Sequence, residues 1–201
     1  MSDSKSEKHK ASMEKQKEKI DKSIAKADTE RGVSILLTGN GKGKSSSAFG
    51  MVMRSLGYGF NVGIVQFIKG VQLSGEEMFI REKHPEVQFH QMGTGFTWDT
   101  QDRDSDIAAA EVSWTHAERM LKDENLHLVV LDELTYMLAY SYLNEEKVLN
   151  AITNRPDNQS VVVTGRGGGK AIRELMDTVS EINDIKHAYT AGIMARKGVD
   201  Y

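Results

Sequence analysis

The sequence contains no cysteine, and that single absence removes several chemistries. A disulfide framework, a thiol nucleophile and a thiolate metal site are all excluded. No apolar run is long enough to span a bilayer, and the opening MSDSKSEKHK is too polar for a signal peptide. A soluble, cytoplasmic protein with no membrane partner is the expectation. The histidines (His9, His84, His90, His116, His127 and His187) show no metal-ligand spacing, and no Ser-His-Asp or Cys-His arrangement stands out. A formal net charge of −3 gives no overall reason to expect a nucleic-acid partner. What remains is a chain of 201 residues, enough for one domain that buries roughly 70% of its unfolded surface.

The chain divides into a tail and a body. Residues 1–31 are dominated by Lys, Glu, Asp and Ser, with Met13, Ile20, Ile24 and Ala27 forming a thin helical stripe. This segment reads either as a solvated extension or as a helix that docks over a ligand. The body, 32–201, alternates strand and helix signals. GVSILLT (32–38), NVGIVQF (61–67), EVQFHQM (86–92), LHLVVLD (126–132), SVVVTG (160–165) and IKHAYTA (185–191) read as strands. The best helix candidate spans 104–122, where Ile107, Ala110, Trp114, Ala117 and Leu121 step by three and four, so Trp114 belongs to a core. Apolar strands separated by helices predict an α/β fold, a mostly parallel six-stranded sheet covered on both faces. Such sheets bind ligands beyond the carboxyl ends of their strands, and the loops there carry the argument.

After the first strand comes LLTGNGKGKSSSAFG (36–50). The usual phosphate-binding pattern is G-x-x-x-x-G-K-[ST] between a strand and a helix. Gly43, Lys44 and Ser45 supply its second half, but Thr38 stands where the first glycine belongs. The glycines fall at 39, 41 and 43, with an extra lysine, Lys42, between the last two. Backbone N–H groups at a helix N-terminus suit phosphate, Lys44 can reach it, and the Ser45 hydroxyl can ligate magnesium. After the fourth strand, Asp132 and Glu133 occupy the place of the second magnesium element. TGRGGGK (164–170) offers Arg166, either as a cation for phosphate or ribose or as part of a plain loop. QFIKG sets Gln66 and Lys69 on the same rim. MGTGFTWDTQDRDSD (92–106) places Phe96 and Trp98 in a polar loop, either as a minor folded-back cluster or as a platform for a flat, largely apolar ligand. The site is rich in phosphate grip and poor in proton-transfer groups, which suits a nucleophile strong enough to need no general base.

TGNGKGKS, RSLGYG, VGIVQFIKG, TGFTWDTQ, VVLDELTYML, TGRG and the ending KHAYTAGIMARKGVDY together resemble the ATP:corrinoid adenosyltransferases of the bacterial cobalamin pathway, over a match from about residue 5 to Tyr201. The resemblance implies a recombinase-like P-loop fold that binds ATP in the reverse sense along the loop. The 5′-deoxyadenosyl group then passes to cobalt(I) of a corrinoid and triphosphate leaves. It carries Gly39, Asn40, Gly41, Lys42, Gly43, Lys44, Ser45, Ser46, Arg54 and Arg166 to the nucleotide, with Lys44 stabilising leaving-group charge. Ser45 and Glu133 would hold Mg2+ (or Mn2+), with Asp132 behind them. Phe96 and Trp98 match aromatics that close the lower face of the corrin ring. Ser45-Ser46 stands where the family usually has threonines, and GRGGGK carries more glycine than usual. A reduced flavoprotein (flavodoxin) as electron donor, a homodimer and an N-terminal segment folded over the site are also implied. Two rival functions remain at this level: a kinase or NTPase making ADP, and a non-catalytic nucleotide-dependent switch.

Overall fold

The computed structural model describes residues 3–68, 73–93 and 102–201. Phe96, Trp98 and Lys69 lie outside them. The chain forms two compact units, 1–30 and 31–201. The first consists of helix α1 (Asp3–Ile24) and a short run after it. A Lys- and Glu-rich stretch without glycine or proline favours that helix, and Met13, Ile20 and Ile24 are all exposed on it.

The second unit is built on six parallel strands: β1 (Ser34–Thr38), β2 (Val62–Gln66), β3 (Gln88–Gln91), β4 (Leu128–Asp132), β5 (Ser160–Thr164) and β6 (Thr178–Glu181). Their order across the sheet is β3-β2-β4-β5-β1-β6, and every neighbouring pair is parallel. Around it lie α2 (Lys44–Gly57), α3 (Gly75–Lys83), α4 (Arg103–Leu121), α5 (Leu134–Ala139), α6 (Glu145–Thr153) and α7 (Gly169–Leu175).

The central strands are apolar without alternation because both faces are covered. Leu37, Ile64, Val130 and Val162 pack with Ala48, Phe49 and Val52 of α2 and Ile80 of α3. Their sequence neighbours Leu36, Val65, Val129, Leu131, Val161 and Val163 pack on the other side with Trp114, Met137, Ile152 and Ile172. Trp114 is fully buried, its ring 6.4 Å from that of Phe67, as the periodicity of 104–122 predicts.

One strand lies elsewhere than expected. The sixth is Thr178–Glu181, whereas 185–191 contains only a short 3₁₀ turn at Tyr189–Ala191. β6 pairs with β1 alone, at the sheet's edge, and all four of its residues are exposed, so TVSE needs no apolar run. The apolar residues of the rejected segment, Ile185 and Tyr189, face solvent at 99% and 78% exposure.

Candidate functional site

Parallel pairing brings Thr38, Gln66, Asp132 and Thr164 to one rim, where each is the last residue of its strand. All four are buried. The glycine loop starts there. Gly39 has φ +99°, and a Cβ on it would stand 2.4 Å from the Ile182 carbonyl oxygen. A Cβ on Gly41 would stand 2.8 Å from the Asn183 carbonyl, and the Gly41 N–H donates to Ile182 O at 2.7 Å. These glycines therefore let the loop lie against the chain leaving β6. Gly43, at φ +111°, opens α2, and no side chain caps the helix. The residues of its first turn, Lys44, Ser45 and Ser46, line the cleft at the helix's favourable dipole end. Lys44 is 7% exposed, and its Nζ donates to Gly41 O at 2.7 Å. Burial holds its pKa below the usual lysine range, against the opposing pull of Glu133.

Asp132 and Glu133, adjacent in sequence, differ sharply. Asp132 is satisfied: Gln66 Nε2 donates to one carboxylate oxygen at 2.8 Å and Thr164 Oγ1 to the other at 2.6 Å. The same Thr164 hydroxyl accepts the Glu133 N–H at 2.9 Å, so one side chain ties both acids to β5. Glu133 adopts a left-handed conformation (φ 59°, ψ 21°), uncommon for a residue with a side chain. Its Oε2 is buried without a hydrogen-bond partner. Burial, then the charge of Asp132, pushes its pKa up to about 7. A buried carboxylate oxygen with no donor is costly unless a cation completes it. Among the described residues no three His, Cys, Asp or Glu gather around a metal position. An ion held here would take much of its shell from water and ligand oxygens, as magnesium does.

The Arg166 loop is fastened from two sides. Thr38 Oγ1 donates to Gly167 O at 3.0 Å and Thr135 Oγ1 to Arg166 O at 2.8 Å. A Cβ on Gly165, where φ is +134°, would come within 2.1 Å of Thr135 Oγ1, which requires glycine at that point. The run is thus a fixed turn, and it sets Arg166 on the cleft.

The cleft has a volume of about 600 Å³. The glycine loop, Gln66, the start of α3, Asp132, Glu133 and Arg166 line it, and so does the chain end, Gly198–Tyr201. Lys42 forms an ion pair with Asp200. Asp200 also accepts the Arg196 N–H at 2.8 Å, and the Gly198 N–H donates to Tyr201 O at 2.8 Å, which closes the end into a hook.

Of the residues expected from the sequence, 40–46, Asp132, Glu133 and Arg166 border this cleft, with Gly39 at its root. Arg54 does not. It lies exposed in the last turn of α2, where Tyr58 N donates to Arg54 O and Gly59 takes φ +77°. RSLGYG is the helix stop. Sequence reading missed Thr164, Thr135 and Asp200 as parts of the site. They lie inside VVLDELTYML, TGRG and the ending KHAYTAGIMARKGVDY, but no local pattern marks them as site residues.

A parallel sheet whose first strand runs through a glycine loop and Gly-Lys-Ser into a helix, beside an acidic strand end, defines a P-loop-like nucleotide-binding protein. The chain belongs to the ATP:corrinoid adenosyltransferase BtuR/CobO/CobP family, whose model matches residues 30–201. A corrinoid adenosyltransferase of Escherichia coli (strain K12) is 51% identical over 195 residues, 97% of this chain and 98% of that protein. One from Pseudomonas aeruginosa is 53% identical over 197 residues, 98% of this chain and 97% of its own. The solved structure of flagellar accessory protein FlaH from Methanocaldococcus jannaschii overlaps 76% of this chain and 71% of that one, at 11% identity and a TM-score of 0.48.

Proposed function

We propose that this protein transfers the 5′-deoxyadenosyl group of ATP to cobalt(I) of a corrinoid and releases inorganic triphosphate. The observation that carries this reading is the relationship, over nearly the whole chain, to corrinoid adenosyltransferases at about half identity. The cleft supports it. Cobalt(I) contributes the electron pair of a new Co–C5′ bond and becomes cobalt(III). The C5′–O bond breaks, and its pair leaves on the triphosphate. No proton moves, so no general base is required.

The chain's own task is to hold and neutralise the leaving group. Apart from the Gly41 N–H, which is bonded to Ile182 O, the N–H groups of the glycine loop, with Lys44 and Arg166, are the donors for it, pre-positioned in a partly buried cleft. Magnesium (or manganese), when bound, offsets triphosphate charge. The Ser45 hydroxyl and the Glu133 carboxylate, whose Oε2 is buried without a donor, fit it, while Asp132 stands behind them and Thr164 ties the two acids together. Phe96 and Trp98 belong to the corrinoid side of the same proposal. They exclude a lower axial ligand, which makes cobalt(II) reducible by a flavoprotein such as flavodoxin. Support for that part is the TGFTWDTQ motif itself. Replacing both rings with alanine should reduce flavoprotein-driven turnover far more than turnover with chemically supplied cobalt(I), and equal losses would reject this role.

Residues 1–31 act, in this proposal, as a cover for the corrinoid reaction, in a homodimeric cytoplasmic enzyme. Removal of 1–30 should leave ATP binding intact and lower corrinoid turnover; equal turnover would return the segment to a solvated extension. No described helix is long and apolar enough to cross a membrane. The whole reading is tested by anaerobic incubation with ATP, magnesium and chemically reduced cobalamin. The spectrum of a Co–C bond is expected. ADP without a cobalt alkyl would instead indicate a kinase or NTPase.

A further inference from the structure

The glycine loop carries two lysines, and they are held differently. Lys44 is buried and donates to a neutral carbonyl, Gly41 O. Lys42 is half exposed, and its ammonium is paired with the Asp200 carboxylate. Asp200 in turn is fixed by the Arg196 N–H, and its own N–H donates to Arg196 O at 2.7 Å. The pairing joins two positions 158 residues apart, one on the phosphate loop and one at the chain end, on the same cleft.

We propose that Lys42 is shared between the C-terminal hook and the triphosphate: Asp200 holds it in the free protein, the polyphosphate takes it on binding, and Asp200 recaptures it as triphosphate leaves. This rests on the adenosyltransferase reading of the cleft. The physical reason is charge. A polyanion seated along residues 40–46 meets a fixed carboxylate at the very lysine it would use. Either Lys42 turns from Asp200 to phosphate or the hook withdraws. In both cases Asp200 opposes the bound polyphosphate and favours its release. A reaction that leaves its whole phosphate chain on the enzyme gains from such an opponent, because product release then need not limit turnover. Asp200 is therefore a positioning residue, acting through Lys42 and touching no reacting atom.

The test is the affinity of the full-length protein for inorganic tripolyphosphate, measured by calorimetry in wild type, Asp200→Asn, Lys42→Met and the double variant. Both positions are at the surface of the cleft, so folding should survive. Asp200→Asn should tighten binding by roughly 1.5- to fivefold at low salt, the range for a partly exposed pair. The gain should vanish in the Lys42→Met background and shrink in half-molar salt. In turnover, the ratio of steady-state to first-turnover rate should fall in Asp200→Asn. Equal or weaker binding by Asp200→Asn would overturn the proposal. So would the same tightening without Lys42, since that would be simple removal of a negative charge. A wild type that binds no tripolyphosphate would refute the phosphate cleft itself, and the exchange along with it.

Discussion

The two walls of the cleft are built on opposite principles. The inner wall, formed by the ends of β1, β2, β4 and β5, is buried. Thr164, Asp132, Gln66, Thr135 and Thr38 bond one another or neighbouring backbone at 2.6–3.0 Å. The outer wall, the hook from Arg196 to Tyr201, is exposed and tied to the loop by an ion pair. A buried network cannot rearrange without leaving polar groups unpaired, whereas an exposed pair costs little to break. The inner wall therefore presents Lys44 and Glu133 in one geometry, and the outer wall can yield to what enters.

The largest effect should come from the inner wall. Lys44→Ala should lower adenosyl transfer by about 10²–10³-fold or more, the scale for losing one pre-positioned group at developing charge. Rates of transfer to chemically reduced cobalamin measure it, and a loss below tenfold would mean that Lys44 does not face the leaving group.

Next comes the support of the metal position. Glu133→Ala and Ser45→Ala should weaken magnesium-dependent ATP binding most. Thr164→Val, which removes neither ligand side chain, should weaken it by about tenfold through misplacing Glu133. Thr164→Ser should restore it, because the hydroxyl is what bonds both acids. Metal titration in the presence of ATP distinguishes these variants, and a serine variant as weak as valine would point to packing instead.

A smaller effect, on stability alone, is expected at the opposite end of β1. Asp177 accepts from Arg31 at 2.5 and 2.9 Å and from both the N–H and hydroxyl of Ser34 at 2.8 Å. The Arg31 bond, first, and that of the Ser34 backbone hold its carboxyl far below the usual aspartate range. A depressed carboxylate stabilises the fold above its unfolded pKa, near 4, and the gain is lost as pH falls through the folded value. Asp177→Asn should cost about 1 kcal/mol at pH 7, discounted for the pair's exposure, and the gap to wild type should narrow below about pH 4. Denaturation at pH 7 and pH 3 checks both, and ATP affinity should not follow the stability loss.

The inner wall is also the part of the molecule that the sequence made legible. β1, β2, β4 and β5 are interior strands, covered on two faces, so their apolar runs announce them. The residues that end them announce the site, because a parallel sheet gathers strand ends on one rim. β6 escaped notice because an edge strand with exposed side chains needs no apolar signature, and the segment expected in its place, 185–191, holds only a short 3₁₀ turn at its end. Arg54 sits in the last turn of α2, outside the cleft lining, a placement that RSLGYG does not reveal in one dimension. The Lys42–Asp200 pair could not be read at all, since nothing local links residues at opposite ends of the domain. Thr164 shows the same limit at closer range, as an ordinary strand threonine until its hydroxyl is seen between two acids.

The central claim is that the cleft holds a triphosphate as a single leaving group. Phosphorus NMR of one turnover with ATP, magnesium and chemically reduced cobalamin tests it most directly. Intact tripolyphosphate in equal amount to the Co–C product, and its disappearance with Lys44→Ala, is the result predicted. ADP with orthophosphate as the primary products, or tripolyphosphate formed equally by Lys44→Ala, would contradict it.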